Sequence, residues 1–139
     1  MRRSLTLLLA TGILAIADPA AGAKSACSVP DTPSWHSCLT ARHAALTTGG
    51  EMLTRATPAL VIRLEAGCPD HLAKRKVVLR TKRERRLAAE RVTGHCRKDI
   101  ARFRVNLRTD VELPAGTVVR SYWSGIADSK VAPSVKLGG

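Results

Sequence analysis

The sequence predicts an all-β fold, specifically a disulfide-stapled immunoglobulin-like β-sandwich, with a small β-barrel as the alternative. Three observations predict it. Apolar residues alternate with polar ones at period two in one segment after another from Pro58 onward. Turn signals such as Ala66-Gly67-Cys68-Pro69-Asp70 and Leu113-Pro114-Ala115-Gly116 separate these segments. Four cysteines, Cys27, Cys38, Cys68 and Cys96, offer an even set for cross-links in a chain with only four aromatic residues for its core.

The chain begins with a short basic start, Met1-Arg2-Arg3, and an apolar run from Leu5 to Ala17. Asp18-Pro19 ends the run, and Ala21-Gly22-Ala23 supplies small residues for a signal peptidase. This layout predicts a signal peptide over residues 1–23, cleaved after Ala23, and a secreted or periplasmic protein. The run is too short for a membrane-spanning helix, and no later segment is apolar enough to form one. Residues 24–57 read as an irregular, disulfide-stapled segment packed on the domain, with two prolines near its start. Within it, Leu39–Leu46 fits either a short helix or an edge strand, and Thr47-Thr48-Gly49-Gly50 is a turn. Residues 58–139 are predicted to form the sandwich.

Each predicted strand follows from its own alternation. In Pro58–Glu65, Leu60, Ile62 and Leu64 share one face, while Ala59, Val61, Arg63 and Glu65 share the other. In Lys76–Lys82, Val77, Leu79 and Thr81 face inward. Arg83-Glu84-Arg85-Arg86 connects this strand to a return strand over Leu87–Val92, despite the helix propensity of Leu-Ala-Ala-Glu-Arg. Arg97-Lys98-Asp99 is a turn into the clearest strand, Ala101–Arg108, with Phe103 and Leu107 inward and Arg102, Arg104 and Arg108 outward. Thr117–Trp123 and Val131–Leu137 complete the set, and Pro133 confines the last to an edge or a bulge. The expected bridges are Cys27–Cys38 and Cys68–Cys96; no Cys-x-x-Cys pair suggests zinc or haem.

Charge is the strongest functional signal. Lys74–Arg108 carries fourteen Lys/Arg against three acids, a net of +11, within a chain of formal net charge +12. If the strands of this block share a sheet, Lys76, Arg80, Lys82, Arg102, Arg104 and Arg108 form one basic face. Arginine suits bidentate contact with carboxylate, sulfate or phosphate. The expected partner is therefore an anionic polymer or surface: acidic glycan, lipopolysaccharide or an acidic protein. Nucleic acid fits less well, because Phe103 is the block's only aromatic and belongs to the core. Solubility alone would also place charge on strand faces.

The usual catalytic signatures are absent. There is no His-Glu-x-x-His, no Gly-x-Ser-x-Gly and no phosphate-cradling glycine loop. His36, His43, His71 and His95 read as surface or turn residues, and no metal or cofactor is expected. Tyr122 and Trp123 form a possible aromatic contact beside Arg120, or else plug the end of the sandwich. The sequence thus predicts a non-catalytic binding module. The rivals are a protein-interaction component, such as an inhibitor or surface-assembly subunit, and a small secreted hydrolase or toxin.

Overall fold

The computed structural model describes residues 21–28, 34–126 and 132–138. The apolar run and most of the predicted signal peptide therefore lie outside the described residues. The described residues form ten strands in two sheets and contain no helix. The first sheet holds β1 (Ala21–Cys27), β2 (Trp35–Ala45), β3 (Glu51–Arg63), β6 (His95–Arg97), β7 (Ile100–Arg104) and β8 (Leu107–Leu113). The second holds β4 (Arg75–Thr81), β5 (Arg86–Val92), β9 (Val118–Trp123) and β10 (Ser134–Lys136).

The order β2-β3-β7-β6 packs against β5-β4-β9-β10. These positions correspond to the A-B-E-D and C′-C-F-G sheets of immunoglobulin-like sandwiches. β1 is an added edge strand, and β8 prolongs the line of β7 along the same side of β3. The fold is the predicted disulfide-stapled sandwich, and no barrel closes.

Alternation builds the core. The first sheet sends in Leu39, Leu53, Leu60, Phe103 and Leu107; the second sends in Val77, Leu79, Val119, Trp123 and Val135. Full burial of such a side chain contributes about 1.5–3 kcal/mol. Phe103 and Trp123 meet at the centre with ring centroids 6.0 Å apart, a tilted pair bridging the sheets. Gly94 lies beneath the Phe103 ring so closely that a Cβ there would overlap it.

The two predicted cross-links are present. Cys27–Cys38 joins directly opposed residues of β1 and β2, and Cys68–Cys96 ties the β3–β4 connection to β6. Each contributes about 3 kcal/mol through restriction of the unfolded chain. Bridges of this kind persist in oxidising compartments.

Several expectations change. The described part of residues 24–57 is not irregular: it supplies most of β1, all of β2 and the first half of β3. Leu39–Leu46 lies neither in a helix nor at an edge, since β2 runs between β1 and β3. Prolines and small polar residues mask the buried alternation Ser37-Leu39-Ala41 in the sequence. Ala101–Arg108 is two strands, interrupted at Val105-Asn106. The two hairpin turns lie one residue from their expected bounds: residues 82–85 rather than 83–86, and Lys98-Asp99 rather than Arg97-Lys98-Asp99. Glu84 (φ 68°) lies in the loop between β4 and β5, and Lys98 and Asp99 (φ 50° and 62°) form the two-residue turn between β6 and β7. None of these three is a glycine, so each holds left-handed backbone at some cost.

Candidate anion-binding walls

Strand register decides which side chains share a wall. On the outer face of the first sheet, Arg42 of β2 lies opposite Arg55 of β3, and Arg55 lies opposite Arg108 of β8. Directly opposed side chains on a sheet have Cβ atoms about 4.5–5.5 Å apart. Three guanidinium groups therefore form one rung across three strands, all exposed. The rung borders an open cleft of about 410 Å³ lined by Arg42, Thr54, Arg55, Arg108 and Asp110.

Two local irregularities shape this end of the wall. β3 carries an extra residue between Leu53 and Arg55, and β8 breaks register between Arg108 and Val111. Asp110, at φ 45°, brings Oδ2 to the Nε of Arg108, which donates to it at 2.7 Å. That hydrogen bond, and then the carboxylate's charge, raise the Arg108 pKa above its ordinary value. Thr109 hydroxyl donates to the Leu53 carbonyl at 2.7 Å and closes the irregular step.

The neighbouring rung is polar and uncharged. Ser25, Thr40 and Thr57 stand in line across β1, β2 and β3. The Ser25 and Thr40 hydroxyls share a hydrogen bond of 2.8 Å, and Thr57 hydroxyl donates to Asn106 Oδ1 at 2.7 Å. Beyond it come Arg104 opposite Ala59, then His36, Val61, Arg102 and His95 in one rung, then Arg63, Ile100 and Arg97. The wall thus presents seven exposed arginines: Arg42, Arg55, Arg63, Arg97, Arg102, Arg104 and Arg108. Among the described residues, Arg108 is the one of these seven in an ion pair.

The single basic face expected from the sequence does not form. Arg102, Arg104 and Arg108 do share a wall, but Lys76 and Arg80 belong to β4 in the other sheet, and Lys82 follows that strand. Their outward side chains lie across the core from the arginine wall. The reason is topological: the chain crosses from one sheet to the other between β5 and β6, inside the basic block. Alternation reveals which residues face outward but not which sheet they leave.

The second sheet has its own cationic rungs. Lys76 lies opposite Arg91, and Arg80 stands between Arg86 and Arg120. An apolar rung of Ala89, Val78 and Tyr122 separates them. Arg80 donates to Glu84 at 3.1 Å and lies over the Tyr122 ring at 5.7 Å. Lys82 instead borders a cleft of about 730 Å³ at the end of the sandwich, with Arg83, Arg85, Lys136, Pro114 and Val118 among its lining. The expected aromatic contact is not a pair. Trp123 is buried in the core, and Tyr122 is half-buried on the opposite side of the same strand.

The histidines also divide. His36, His71 and His95 are exposed, but His43 points inward and is not a surface residue. Its Nδ1 donates to Glu51 Oε1 at 2.6 Å, and both side chains are nearly buried. Nε2 is buried as well, without a partner among the described residues. A dyad sealed in this way pins the ends of β2 and β3 but gives no substrate an approach. Among the described residues, no group of three His, Cys, Asp or Glu side chains is placed to hold a metal ion.

Sequence reasoning missed Arg42, Arg55, Arg63 and Arg97 as site residues. The first three lie outside the basic block, where acids balance them in number. The signal that finds the first three is parity: each occupies the outward phase of a strand whose inward phase is largely apolar. No protein-family model matches the chain, and neither the curated proteins nor the solved structures contain a significant match.

Proposed function

We propose that this protein is a secreted or periplasmic binding module for a linear acidic glycan, which it engages through the outer wall of the first sheet. The observation that carries the reading is the rung Arg42–Arg55–Arg108. Like charges placed directly opposite one another destabilise a sheet. A wall charged only for solubility is served by interspersed acids and lysines. Here every Lys/Arg on the wall is arginine, the side chain whose planar fork grips carboxylate and sulfate through two bonds. An anion seated between them turns mutual repulsion into shared attraction.

The adjacent rung selects a sugar polymer over a bare anion. Thr40, Thr57 and Asn106 present hydroxyl and amide groups one strand step, about 6.5–7 Å, from the arginine rung. That spacing lets acidic groups meet arginine while ring hydroxyls meet the polar strip. Two disulfides and the signal-like N-terminus support export to where such polymers occur.

The test is binding to a heparin hexasaccharide, with phosphatidylglycerol vesicles and an uncharged dextran as comparators. The reading expects hexasaccharide binding that weakens on the order of a hundredfold between 50 and 200 mM salt. It also expects the triple variant Arg42→Ser, Arg55→Ser, Arg108→Ser to lose the hexasaccharide bound at this wall, with the fold retained. Binding to vesicles alone would replace the glycan by a phosphate surface, and salt-independent binding would point to a hydrophobic protein interface.

A further inference from the structure

We infer that one molecule holds two acidic glycan chains at once, one on each outer wall, and so cross-bridges them. The inference rests on the glycan-binding reading above and adds a second site: the β4–β5 half of the second sheet. Lys76 opposite Arg91 and Arg80 opposite Arg86 form two cationic rungs there. They are four residues apart along β4, about 13 Å at the usual strand rise. Lys76, Arg86 and Arg91 are exposed. Among the described residues, the one acid paired with this array is Glu84, on Arg80.

The two sites cannot serve one short ligand. Leu39, Leu60 and Phe103 from one sheet and Val77 and Leu79 from the other fill the space between them. The walls therefore face opposite directions, with the backbones of packed sheets about 10 Å apart and side chains projecting beyond. A strand segment of sugar lying on Arg42–Arg55–Arg108 leaves the Lys76–Arg91 and Arg80–Arg86 rungs untouched. A long polymer network, by contrast, is tied together wherever one protein meets two chains. The half-apolar step between the rungs, Val78 beside Ala89, fits the carbon face of a sugar ring between two acidic groups.

The experiment is calorimetric stoichiometry with a heparin hexasaccharide, beside light scattering with long heparin, using the whole exported chain. Sedimentation of the free protein establishes a monomer first. The wild type should bind two hexasaccharides per monomer and form particles with long heparin that disperse at high protein excess. The variant Lys76→Ser, Arg86→Ser, Arg91→Ser should bind one, within about twofold of the affinity of the remaining site, and form no particles. The variant Arg42→Ser, Arg55→Ser, Arg108→Ser should also bind one. A stoichiometry of one in the wild type, with binding lost only in the Arg42/Arg55/Arg108 variant, overturns the bridging inference and leaves the function reading standing. Absence of binding in the wild type overturns both.

Discussion

The two outer walls of the sandwich are built by the same rule and end with different chemistry. Both place cation opposite cation across neighbouring strands. On the first sheet the charged rung is all arginine, exposed and bordered by Thr40, Thr57 and Asn106, with Arg108 held by Asp110. On the second, lysine and arginine mix, the intervening rung is Val78, Ala89 and Tyr122, and Arg80 is held by Glu84 and the Tyr122 ring. Net charge is therefore a poor description of either wall. What a basic face can bind depends on which cations stand side by side, what lies between the rungs, and which are already engaged.

The largest effect that can separate the walls comes from emptying the arginine rung. Replacing Arg42, Arg55 and Arg108 together by Ser should reduce hexasaccharide affinity at the first wall about a hundredfold or more at 50 mM salt, as three charge-assisted contacts are lost. An equal loss from the Lys76, Arg86 and Arg91 variant would erase the distinction between the walls.

The next effect tests the scaffold shared by both. Gly94→Ala drives a methyl group into the Phe103 ring, which is fixed against Trp123 at the centre of the core. It should cost about 1–3 kcal/mol in a urea titration. Because Phe103 lies between Arg102 and Arg104 while Trp123 belongs to the other sheet, binding at both walls should weaken together near the unfolding transition.

A smaller effect distinguishes repulsion from mere exposure. Arg55→Thr removes the central charge of the rung, so in the absence of ligand it should stabilise the fold by a few tenths of a kcal/mol at low salt. The gain should shrink as salt screens the pair. A loss of stability at low salt would show that Arg55 contributes more by packing its stem than it costs by its charge.

The smallest effect concerns the second wall alone. Glu84→Gly relieves left-handed backbone at the β4–β5 turn and releases Arg80 from its ion pair. Affinity at that wall should rise a few-fold, with no change at the arginine rung. Unchanged affinity would mean that Tyr122 alone holds Arg80 in place.

The sandwich was legible because period two is a local property. Val77-Leu79-Thr81 and Ala101-Phe103 show their buried phase within one segment, and the cysteines supplied both bridges. β1 and β2 were obscured because Trp35–Ala45 mixes Ser, His, Cys and Thr with few large apolar residues. The site was half legible for a related reason. Outward direction can be read from Arg102 and Arg104 themselves, but adjacency to Arg55 and Arg42 is a long-range property of register. Arg108 meets Arg55 across more than fifty residues of intervening chain, and two backbone irregularities set that pairing. A charge count along the sequence grouped Lys76 with Arg102, where the fold separates them by its whole core.

The salt dependence of hexasaccharide binding at the first wall, measured in the Lys76→Ser, Arg86→Ser, Arg91→Ser background with and without the Arg42/Arg55/Arg108 substitutions, tests the central claim most directly. The slope of log affinity against log salt should be shallower by about two to three with those substitutions, one ion released for each arginine that meets an acidic group. Identical slopes would contradict the account, because they would show that the arginine rung touches no anion at all.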